Sequence, residues 1–297
     1  MNGIEMIVLD GGIGRHLEKM GAPFGQPEWS ALSLIQEPDF VLRAHKDFID
    51  SGADVITTNS YAIVPFHIGK DRFEKEGKDL LIRAGNIAKE AVKLYKREIK
   101  IAASIPPVLG SYKPDVFNSE KAIPILEIFK NNLVQFCDLI LAETLSSIDE
   151  IKTIQRVFGD CKVPFWISLT IEDEYYNIPK LRSGEEIVTA LRKIDFNKIS
   201  SVLFNCSQPE VMAKAIKVAK NLVPENTSLG VYANAFQPIK IGQRDANSQI
   251  RNIRQELTPE KYFDFVKEWN ELEVDIIGGC CGIGPEHIKK ICELKKN

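Results

Sequence analysis

Short, almost wholly apolar runs alternate with longer amphipathic stretches along this chain. Eight of these runs are rich in Val, Ile and Leu. They predict strands at residues 6–10, 54–59, 100–105, 139–143, 164–170, 201–206, 229–234 and 274–279. A strand that is buried on both faces, as in a parallel sheet, is apolar throughout rather than alternating. The pattern therefore predicts a parallel sheet that is covered by helices.

The stretches between these runs carry apolar residues three and four positions apart, which indicates helices packed on the sheet. The segment 38–52, PDFVLRAHKDFIDSG, ends in a glycine that suits a helix C-cap. SSID from Ser146 and TPEK from Thr258 are typical helix N-termini. Eight strands, each followed by a helix, predict an α/β fold in which residues 1–297 form a single (β/α)₈ TIM barrel.

A doubly wound open sheet is the alternative fold, and it usually carries a glycine-rich phosphate loop after its first strand. Here that turn reads DGGIGRHL, with Gly12 and Gly14 present but Leu17 in the place of the third glycine. The barrel is therefore favoured. The polar stretch 235–257 is the least regular part of the chain, and we expect an extended lid or substrate loop after the seventh strand.

The composition is that of a soluble globular protein, with 44% hydrophobic and 27% charged residues. The formal net charge of −3 argues against a non-specific nucleic-acid binder. No apolar run approaches the roughly 18 residues of a membrane span, and the N-terminus lacks the pattern of a signal peptide. The expected compartment is the cytoplasm. Six cysteines there are more often metal ligands, catalytic groups or reduced core residues than disulfides.

In a TIM barrel the chemistry lies at the C-terminal ends of the strands. Cys206 follows the sixth predicted strand, and Cys280 and Cys281 follow the eighth. Three thiolates with one open position suit a catalytic Zn²⁺ ion. A reduced cysteine pair, or a nucleophilic thiol at Cys206, remains the alternative. The other cysteines are assigned to packing: Cys137 and Cys292 in helices, and Cys161 just before the fifth strand.

Other polar residues follow the same strand ends. Asp10 either caps the turn after the first strand or belongs to the site. Glu143 ends the apolar run LILAE, so its carboxylate requires a partner, and the ammonium group of a ligand is one candidate. Trp29 is either a packing residue or a ligand wall. The four histidines show no metal-binding spacing, and none is expected to be catalytic: His16, His45, His67 and His287.

Four motifs, LDGGIGRHLE, LAETLSS, FNCSQPE and GGCCGIGPEHI, together resemble the homocysteine S-methyltransferase family in order and spacing. The resemblance runs from about residue 6 to the C-terminus. It implies a zinc-containing barrel that methylates the thiol of homocysteine to give methionine. The family's zinc thiolates fall on Cys206, Cys280 and Cys281. The acids that hold the homocysteine amino group fall on Asp10 and Glu143, and donors to its carboxylate fall on Gly11 and Thr57.

The resemblance also bears on the methyl donor. Family members that use betaine have an aromatic cage, and Trp29 and Tyr61 match two of its positions. The third position is Thr144, which resembles members that use S-methylmethionine or S-adenosylmethionine. The chain departs from the family at Ala233, where proline is common, and this leaves the role of Asn234 open. We expect Asn234 and the 235–257 loop to contact the donor.

Three functions from different classes follow. The first is a zinc-dependent methyltransferase that uses a sulfonium donor. The second is the same barrel with betaine, or with a methylated corrinoid or folate that a partner delivers, although the chain lacks the further domains of the folate- and cobalamin-dependent enzymes. The third is a zinc-binding protein without turnover. Asp10 and Glu143 favour an enzyme, because a purely structural zinc site needs no carboxylates that bind an amine.

Overall fold

A computed structural model describes residues 6–174, 177–238 and 250–296. Its centre is an eight-stranded sheet in which every pairing is parallel. The strands are β1 (Ile7–Val8), β2 (Val55–Thr57), β3 (Lys100–Ile105), β4 (Leu139–Leu145), β5 (Phe165–Leu169), β6 (Ser201–Asn205), β7 (Ser228–Tyr232) and β8 (Ile276–Ile277).

The strands follow one another around the sheet in chain order, and β1 also pairs with β8. The remaining gap, between β1 and β2, is bridged by Leu9 and Val55. The Asp10 N–H donates to the Val55 carbonyl at 3.0 Å, and the Asp54 N–H donates to the Val8 carbonyl at 2.7 Å. This order has no reversal point, which excludes the doubly wound sheet. The predicted (β/α)₈ barrel is confirmed, and its extent over residues 1–297 as one domain stays a prediction.

Helices cover the outside of the barrel. They are α1 (Ile13–Lys19), α2 (Ala31–Gln36), α3 (Pro38–Asp50), α4 (Pro65–Ile68), α5 (Lys70–Lys93), α6 (Ser119–Asn132), α7 (Ile148–Phe158), α8 (Ile187–Leu191), α9 (Pro209–Ala219), α10 (Pro259–Glu271) and α11 (Pro285–Ile291). Short 3₁₀ helices span Pro114–Val116, Val134–Phe136, Phe196–Lys198 and Cys292–Lys296. Ser147 caps α7 in a capping box with Glu150, and Thr258 caps α10, as SSID and TPEK predict.

The alternation of side chains along each strand divides the apolar residues into two layers. On β4, Leu139 and Leu141 point into the barrel, whereas Ile140 and Ala142 face the helices. By the same alternation Glu143 is the next inward residue, at the C-terminal end of the barrel. The barrel interior thus changes from apolar to polar toward the C-terminal ends of the strands, and the candidate site lies at that end.

Three aspartates stand directly before strands at the opposite end. A carboxylate oxygen of Asp54 accepts from the Val8 N–H at 2.7 Å, and one of Asp138 accepts from the Ile101 N–H at 2.8 Å. Asp275 accepts from the Leu229 N–H at 2.8 Å. Each carboxylate satisfies the first free donor of a neighbouring strand, so this end of the barrel is organised for stability.

The structure differs from the sequence-based prediction at several boundaries. Strands β1 and β8 are shorter than predicted, because the chain turns after Leu9 and the Gly12 N–H donates to the Ile283 carbonyl at 2.9 Å. Cys137 is not in a helix, since it follows the 3₁₀ turn that ends at Phe136. Cys292 begins a 3₁₀ helix.

The predicted 235–257 loop is described only at its two ends, and residues 239–249 lie outside the described residues. Phe236 and Ile253 form an antiparallel bridge next to the end of β7. Among the helices of the described ranges, none combines the length and the apolar character that crossing a membrane requires.

Candidate active site

A cleft opens at the C-terminal ends of the strands and encloses about 950 Å³, including its mouth. Of the ten residues predicted for the site, nine line this cleft: Asp10, Gly11, Trp29, Thr57, Tyr61, Glu143, Cys206, Cys280 and Cys281. The tenth, Asn234, is buried outside the lining, where its Oδ1 accepts from the Phe236 N–H at 3.2 Å. The structure therefore brings nine of the predicted residues together.

The three predicted cysteines form a cluster in the cleft. Their sulfur atoms all lie within 4.8 Å of one another. Cys206 directly follows β6 with a left-handed φ of 51°, a conformation that turns the chain at the strand end. Three soft sulfur donors that converge from two strand ends beside an open cleft match a three-thiolate site with one free position. The donor set fits zinc.

Two of these cysteines are bonded to each other in this structure. Cys206 and Cys280 form a disulfide, with their Cα atoms 5.7 Å apart. This separation is the usual one for a disulfide. The expectation of reduced cysteines is therefore wrong for this pair in this structure. The physical reason is that thiols held close enough to bind one metal ion are also close enough to bond to each other, so the disulfide and the three-thiolate cage are alternative states of the same sulfur atoms.

Glycines allow the cysteine loop to pack against the end of β1. A Cβ atom on Gly12 would lie 2.5 Å from the Cys280 carbonyl oxygen and 2.7 Å from the Cys281 Cα. A Cβ atom on Gly11 would collide with the backbone carbonyl oxygen of Ile283, which follows the cysteine pair. No side chain fits at such distances. The glycines of the DGG motif are thus needed for the placement of the cysteine pair of the GGCC motif.

The remaining thiol of the cluster is not a thiolate by itself. Burial raises the pKa of Cys281 to about 11, and the charges of Arg15 and Arg251 offset this effect only in part. A thiol with this pKa is protonated at neutral pH, and a metal ion is the ordinary means of deprotonating such a group.

Asp10 is almost fully buried, and both of its hydrogen-bond donors come from Thr57. The Thr57 N–H donates to Oδ2 at 2.7 Å, and the Thr57 hydroxyl lies 3.1 Å from the same oxygen. Burial raises the pKa of Asp10 well above its usual range, and the nearby charge of Glu143 adds to the rise. Thr57 therefore orients Asp10. Gly11 keeps its N–H without a hydrogen bond within the described ranges and is the free donor of the predicted carboxylate-binding pair.

Glu143 lies at the end of β4 and is 8% exposed. The Ser104 hydroxyl donates to its Oε1 at 2.5 Å, and the Tyr232 hydroxyl donates to its Oε2 at 3.3 Å. Burial raises the pKa of Glu143 to about 7 despite both hydrogen bonds. Neither Glu143 nor Asp10 forms an ion pair with any residue that the structure describes. Two buried carboxylates without a protein cation make a site for a positively charged group.

Aromatic rings form much of the cleft wall. Trp29 has a φ of 50° and packs edge-on against Phe24, with ring centroids 5.5 Å apart. The Tyr61 hydroxyl lies 2.8 Å from the Ser111 hydroxyl. Thr144 is not part of the wall, because its Oγ1 accepts from the Asn205 side chain at 2.9 Å. The third position of the aromatic cage, Thr144, therefore lies outside the cleft lining.

Several lining residues were not predicted. They are Ser104, Tyr112, Tyr232, Phe236 and Arg251. Ser104 and Tyr232 point into the barrel in the same layer as Glu143. The alternation of side chains along β3 and β7 is therefore a pattern from which both could be predicted. Tyr112 and Arg251 come from loops, where the sequence carries no such period.

One of the four histidines lines the cleft. His67 lines the cleft, but its Nδ1 lies 2.8 Å from the Pro27 carbonyl oxygen and burial lowers its pKa to about 4. His16, His45 and His287 are outside the lining. His287 belongs to α11, where its Nδ1 accepts from the Gly284 N–H at 3.2 Å.

Comparisons with known proteins show which family the chain is similar to. The sequence pattern of the homocysteine S-methyltransferase family matches residues 7–294. Homocysteine S-methyltransferase 1 of Brassica oleracea var. italica is 28% identical, and the alignment covers 97% of this chain and 93% of that protein. Selenocysteine methyltransferase of Astragalus bisulcatus is 27% identical, with 97% and 91% covered.

The fold is also similar to a solved structure. The metallated form of the homocysteine methyltransferase MmuM from Escherichia coli superposes with a TM-score of 0.79 over 98% of this chain and 96% of that chain, at 21% identity. At this identity the likeness supports the barrel fold alone. The family match spans nearly the whole chain, so this protein is a methyltransferase that belongs to the homocysteine S-methyltransferase family.

Proposed function

We propose that this protein transfers a methyl group from a sulfonium donor, S-methylmethionine or S-adenosylmethionine, to the thiol of homocysteine, and that the reaction depends on zinc. The observation that carries the proposal is the cluster of three cysteine sulfur atoms within 4.8 Å of one another, in a cleft that also holds two buried carboxylates. Methionine is the product. The expected compartment remains the cytoplasm.

Cys206, Cys280 and Cys281 would hold the zinc ion, and the bound ion would supply a homocysteine sulfur that is deprotonated at neutral pH. Glu143 and Asp10 bind the ammonium group of homocysteine, and the Gly11 N–H donates to its carboxylate. These contacts orient the substrate sulfur toward the donor. Such orientation of two reactants lowers the barrier of a displacement substantially.

The transfer itself is a single displacement. The electron pair of the homocysteine sulfur forms the new bond to the methyl carbon, and the bond from that carbon to the sulfonium sulfur breaks. Its electron pair returns to the donor sulfur, which leaves as a neutral thioether. The faces of Trp29 and Tyr61 stabilise the positive charge of the donor before transfer.

Betaine is the second candidate donor, and one observation favours it. Tyr112 and Phe236 add aromatic surface to the cleft beside Trp29 and Tyr61, so a quaternary ammonium group would also find aromatic faces. The sulfonium donor is preferred because an amino-acid end can use the polar groups of the same cleft, which include hydroxyls, an amide side chain and one guanidinium.

The test compares the donors directly. Reduced, zinc-loaded protein is incubated with homocysteine and with S-methylmethionine, S-adenosylmethionine or betaine, and methionine is measured. We expect a higher kcat/KM with a sulfonium donor than with betaine. Equal or greater efficiency with betaine would favour betaine as the methyl donor. Loss of activity in Cys281→Ser with full zinc content would contradict the assignment of Cys281 as a zinc ligand.

A further inference from the structure

The cleft contains a single cationic side chain among its described lining residues. Asp10 and Glu143 are its carboxylates, and His67 is neutral because its pKa is about 4. The cation is Arg251. A cleft that accepts two amino-acid-like substrates must receive two carboxylates, so a lining guanidinium is a chemically distinctive feature.

The position of Arg251 is set by its own loop and by a tyrosine ring. The loop returns to the end of β7 through the bridge between Phe236 and Ile253, and the Arg254 N–H donates to the Ala235 carbonyl at 2.8 Å. The Cζ atom of Arg251 lies 5.6 Å from the centroid of the Tyr112 ring. This distance is within the range of a cation–π contact.

The Tyr112 ring also contacts a second arginine, which is buried. Tyr112 is 5% exposed, and the Cζ atom of the fully buried Arg182 lies 5.3 Å from its centroid. Arg182 is in turn bound to Asp173 at 3.0 Å. Arg251 therefore rests on a rigid support, which is what a residue needs if it is to fix the orientation of a ligand.

Arg251 is separate from the group that receives homocysteine. Neither Asp10 nor Glu143 forms an ion pair with it, and its charge also acts on the Cys281 thiol and on Tyr112. If the ammonium group of homocysteine lies at Asp10 and Glu143, the carboxylate of homocysteine lies near them too, because the same carbon carries both groups. The Gly11 N–H is the proposed donor to that carboxylate, and Arg251, beside the Tyr112 ring, is the lining cation for a second one.

We propose that Arg251 binds the carboxylate of the methyl donor and so selects a donor that has an amino-acid end. This inference rests on the proposed function. A guanidinium binds a carboxylate through two parallel hydrogen bonds, a geometry that fixes orientation as well as charge. The residue thus holds the donor so that its sulfonium methyl group faces the homocysteine sulfur.

The experiment uses a matched pair of donors. S-Methylmethionine is compared with (3-aminopropyl)dimethylsulfonium, which has the same sulfonium and ammonium groups but no carboxylate. In the native protein we expect kcat/KM to fall at least tenfold for the analogue. In Arg251→Met we expect the two donors to become equal within about twofold, mainly through a higher KM for S-methylmethionine, whereas the KM for homocysteine stays within twofold. Arg251→Lys should keep part of the preference.

Arg254→Met is the matched control. Arg254 lies in the same loop, but its guanidinium binds Glu210 at 2.8 Å and is outside the cleft lining. It should keep the donor preference of the native protein. An unchanged preference in Arg251→Met, or a rise in the homocysteine KM instead, would overturn the inference alone. A native protein that methylates homocysteine with neither sulfonium donor would overturn the proposed function and the inference with it.

Discussion

At the scale of single residues, the unusual feature of the cleft is that Asp10 and Glu143 are buried and form no ion pair with a cation among the described residues. Burying a carboxylate disfavours its charged form, and the pKa values of both groups are raised for this reason. Because the folded-state pKa of Glu143 exceeds the unfolded value, its burial costs stability once the pH rises above the unfolded pKa. An ammonium group bound there, as proposed for homocysteine, would reverse this balance.

The pH dependence of binding follows from the same pKa. With methionine as a probe that has no thiol, the apparent Kd should be constant above pH 7 and should rise by about tenfold per pH unit below it, because Glu143, with a pKa of about 7, becomes protonated. Protonation of Asp10 would steepen the rise. Calorimetric titrations between pH 5.5 and 8.5 measure this slope.

Glu143→Gln tests the assignment of that slope. The variant keeps the shape of the side chain but cannot form a charge-assisted hydrogen bond, so homocysteine and methionine binding should weaken by about 1.5–3 kcal/mol. The zinc content should be unchanged, and the slope below pH 7 should become shallower. Native affinity for homocysteine in this variant would exclude Glu143 as the ammonium partner.

Arg182 gives a third prediction at this scale, and it concerns stability. Its side chain is 0% exposed and pairs with Asp173 at 3.0 Å and with Glu172 at 3.7 Å. Removing one partner of a buried ion pair leaves uncompensated charge and costs about 3–5 kcal/mol. Arg182→Met should therefore lower the free energy of unfolding by about this amount in urea titrations, and Arg182→Lys should lower it less.

The exposed Arg192 is the comparison for this substitution. Arg192→Met removes the same charge from the surface, where a change within about 0.5 kcal/mol is expected. Similar losses in the two variants would show that the buried ion pairs contribute nothing of their own to stability.

At the scale of elements, the site depends on how the end of β1 packs against the loop after β8. A Cβ atom on Gly12 would lie 2.7 Å from the Cys281 Cα, so Gly12→Ala must displace the segment that carries two of the three cysteines. We expect the zinc content of this variant to fall to less than half of the native value under reducing conditions. Metal analysis after gel filtration measures it.

Gly14→Ala is the control for Gly12→Ala. A Cβ atom on Gly14 would have its nearest contact 3.4 Å away, with the ring of Phe24, and the residue lies in α1, where alanine is favoured over glycine. This variant should keep its zinc. A native zinc content in Gly12→Ala would instead mean that the cysteine loop moves without losing the metal.

The strand ends also show what the sequence could predict. The barrel rule places residues that follow parallel strands on one rim, and this rule alone predicts that Asp10, Glu143 and the three cysteines lie together. It fails where a side chain leaves the rim. Thr144 has a φ of 63° and turns toward Asn205, although it directly follows Glu143. The period of two along β4, which points Glu143 inward, already places Thr144 on the other face, so the barrel rule has to be combined with that period.

Loop residues were beyond prediction for a different reason. Tyr112 and Arg251 are 139 positions apart in the sequence and meet only through the tertiary structure. The 235–257 stretch could be recognised as polar and long. Which of its residues line the cleft, namely Phe236 and Arg251, depends on the bridge between Phe236 and Ile253. Contacts of this kind are set by packing and have no local signature.

At the scale of the whole molecule, the cysteine cluster joins distant parts of the barrel. Cys206 follows β6, and Cys280 and Cys281 follow β8, so a metal ion bound to all three would connect strands on either side of β7. The unfolded chain has no such arrangement, because the cysteines are 74 positions apart. A ligand that binds only the folded state stabilises it by mass action. Zinc binding and stability should therefore be coupled in this protein.

This coupling gives the last prediction. The reduced protein should bind about one zinc ion per chain, by the three-thiolate site. A zinc concentration near 1,000 times the Kd should add about 4 kcal/mol to the stability of the fold. For a chain of this size that corresponds to a rise of roughly 6 °C in Tm relative to protein treated with a chelator. Cys281→Ser should lose most of the zinc and most of the rise, whereas Cys161→Ser, which removes a half-buried thiol outside the cluster, should keep both. Thermal unfolding and metal analysis on the same samples measure the Tm and the zinc content. Full zinc content in a double variant of Cys280 and Cys281 would mean that the metal binds elsewhere.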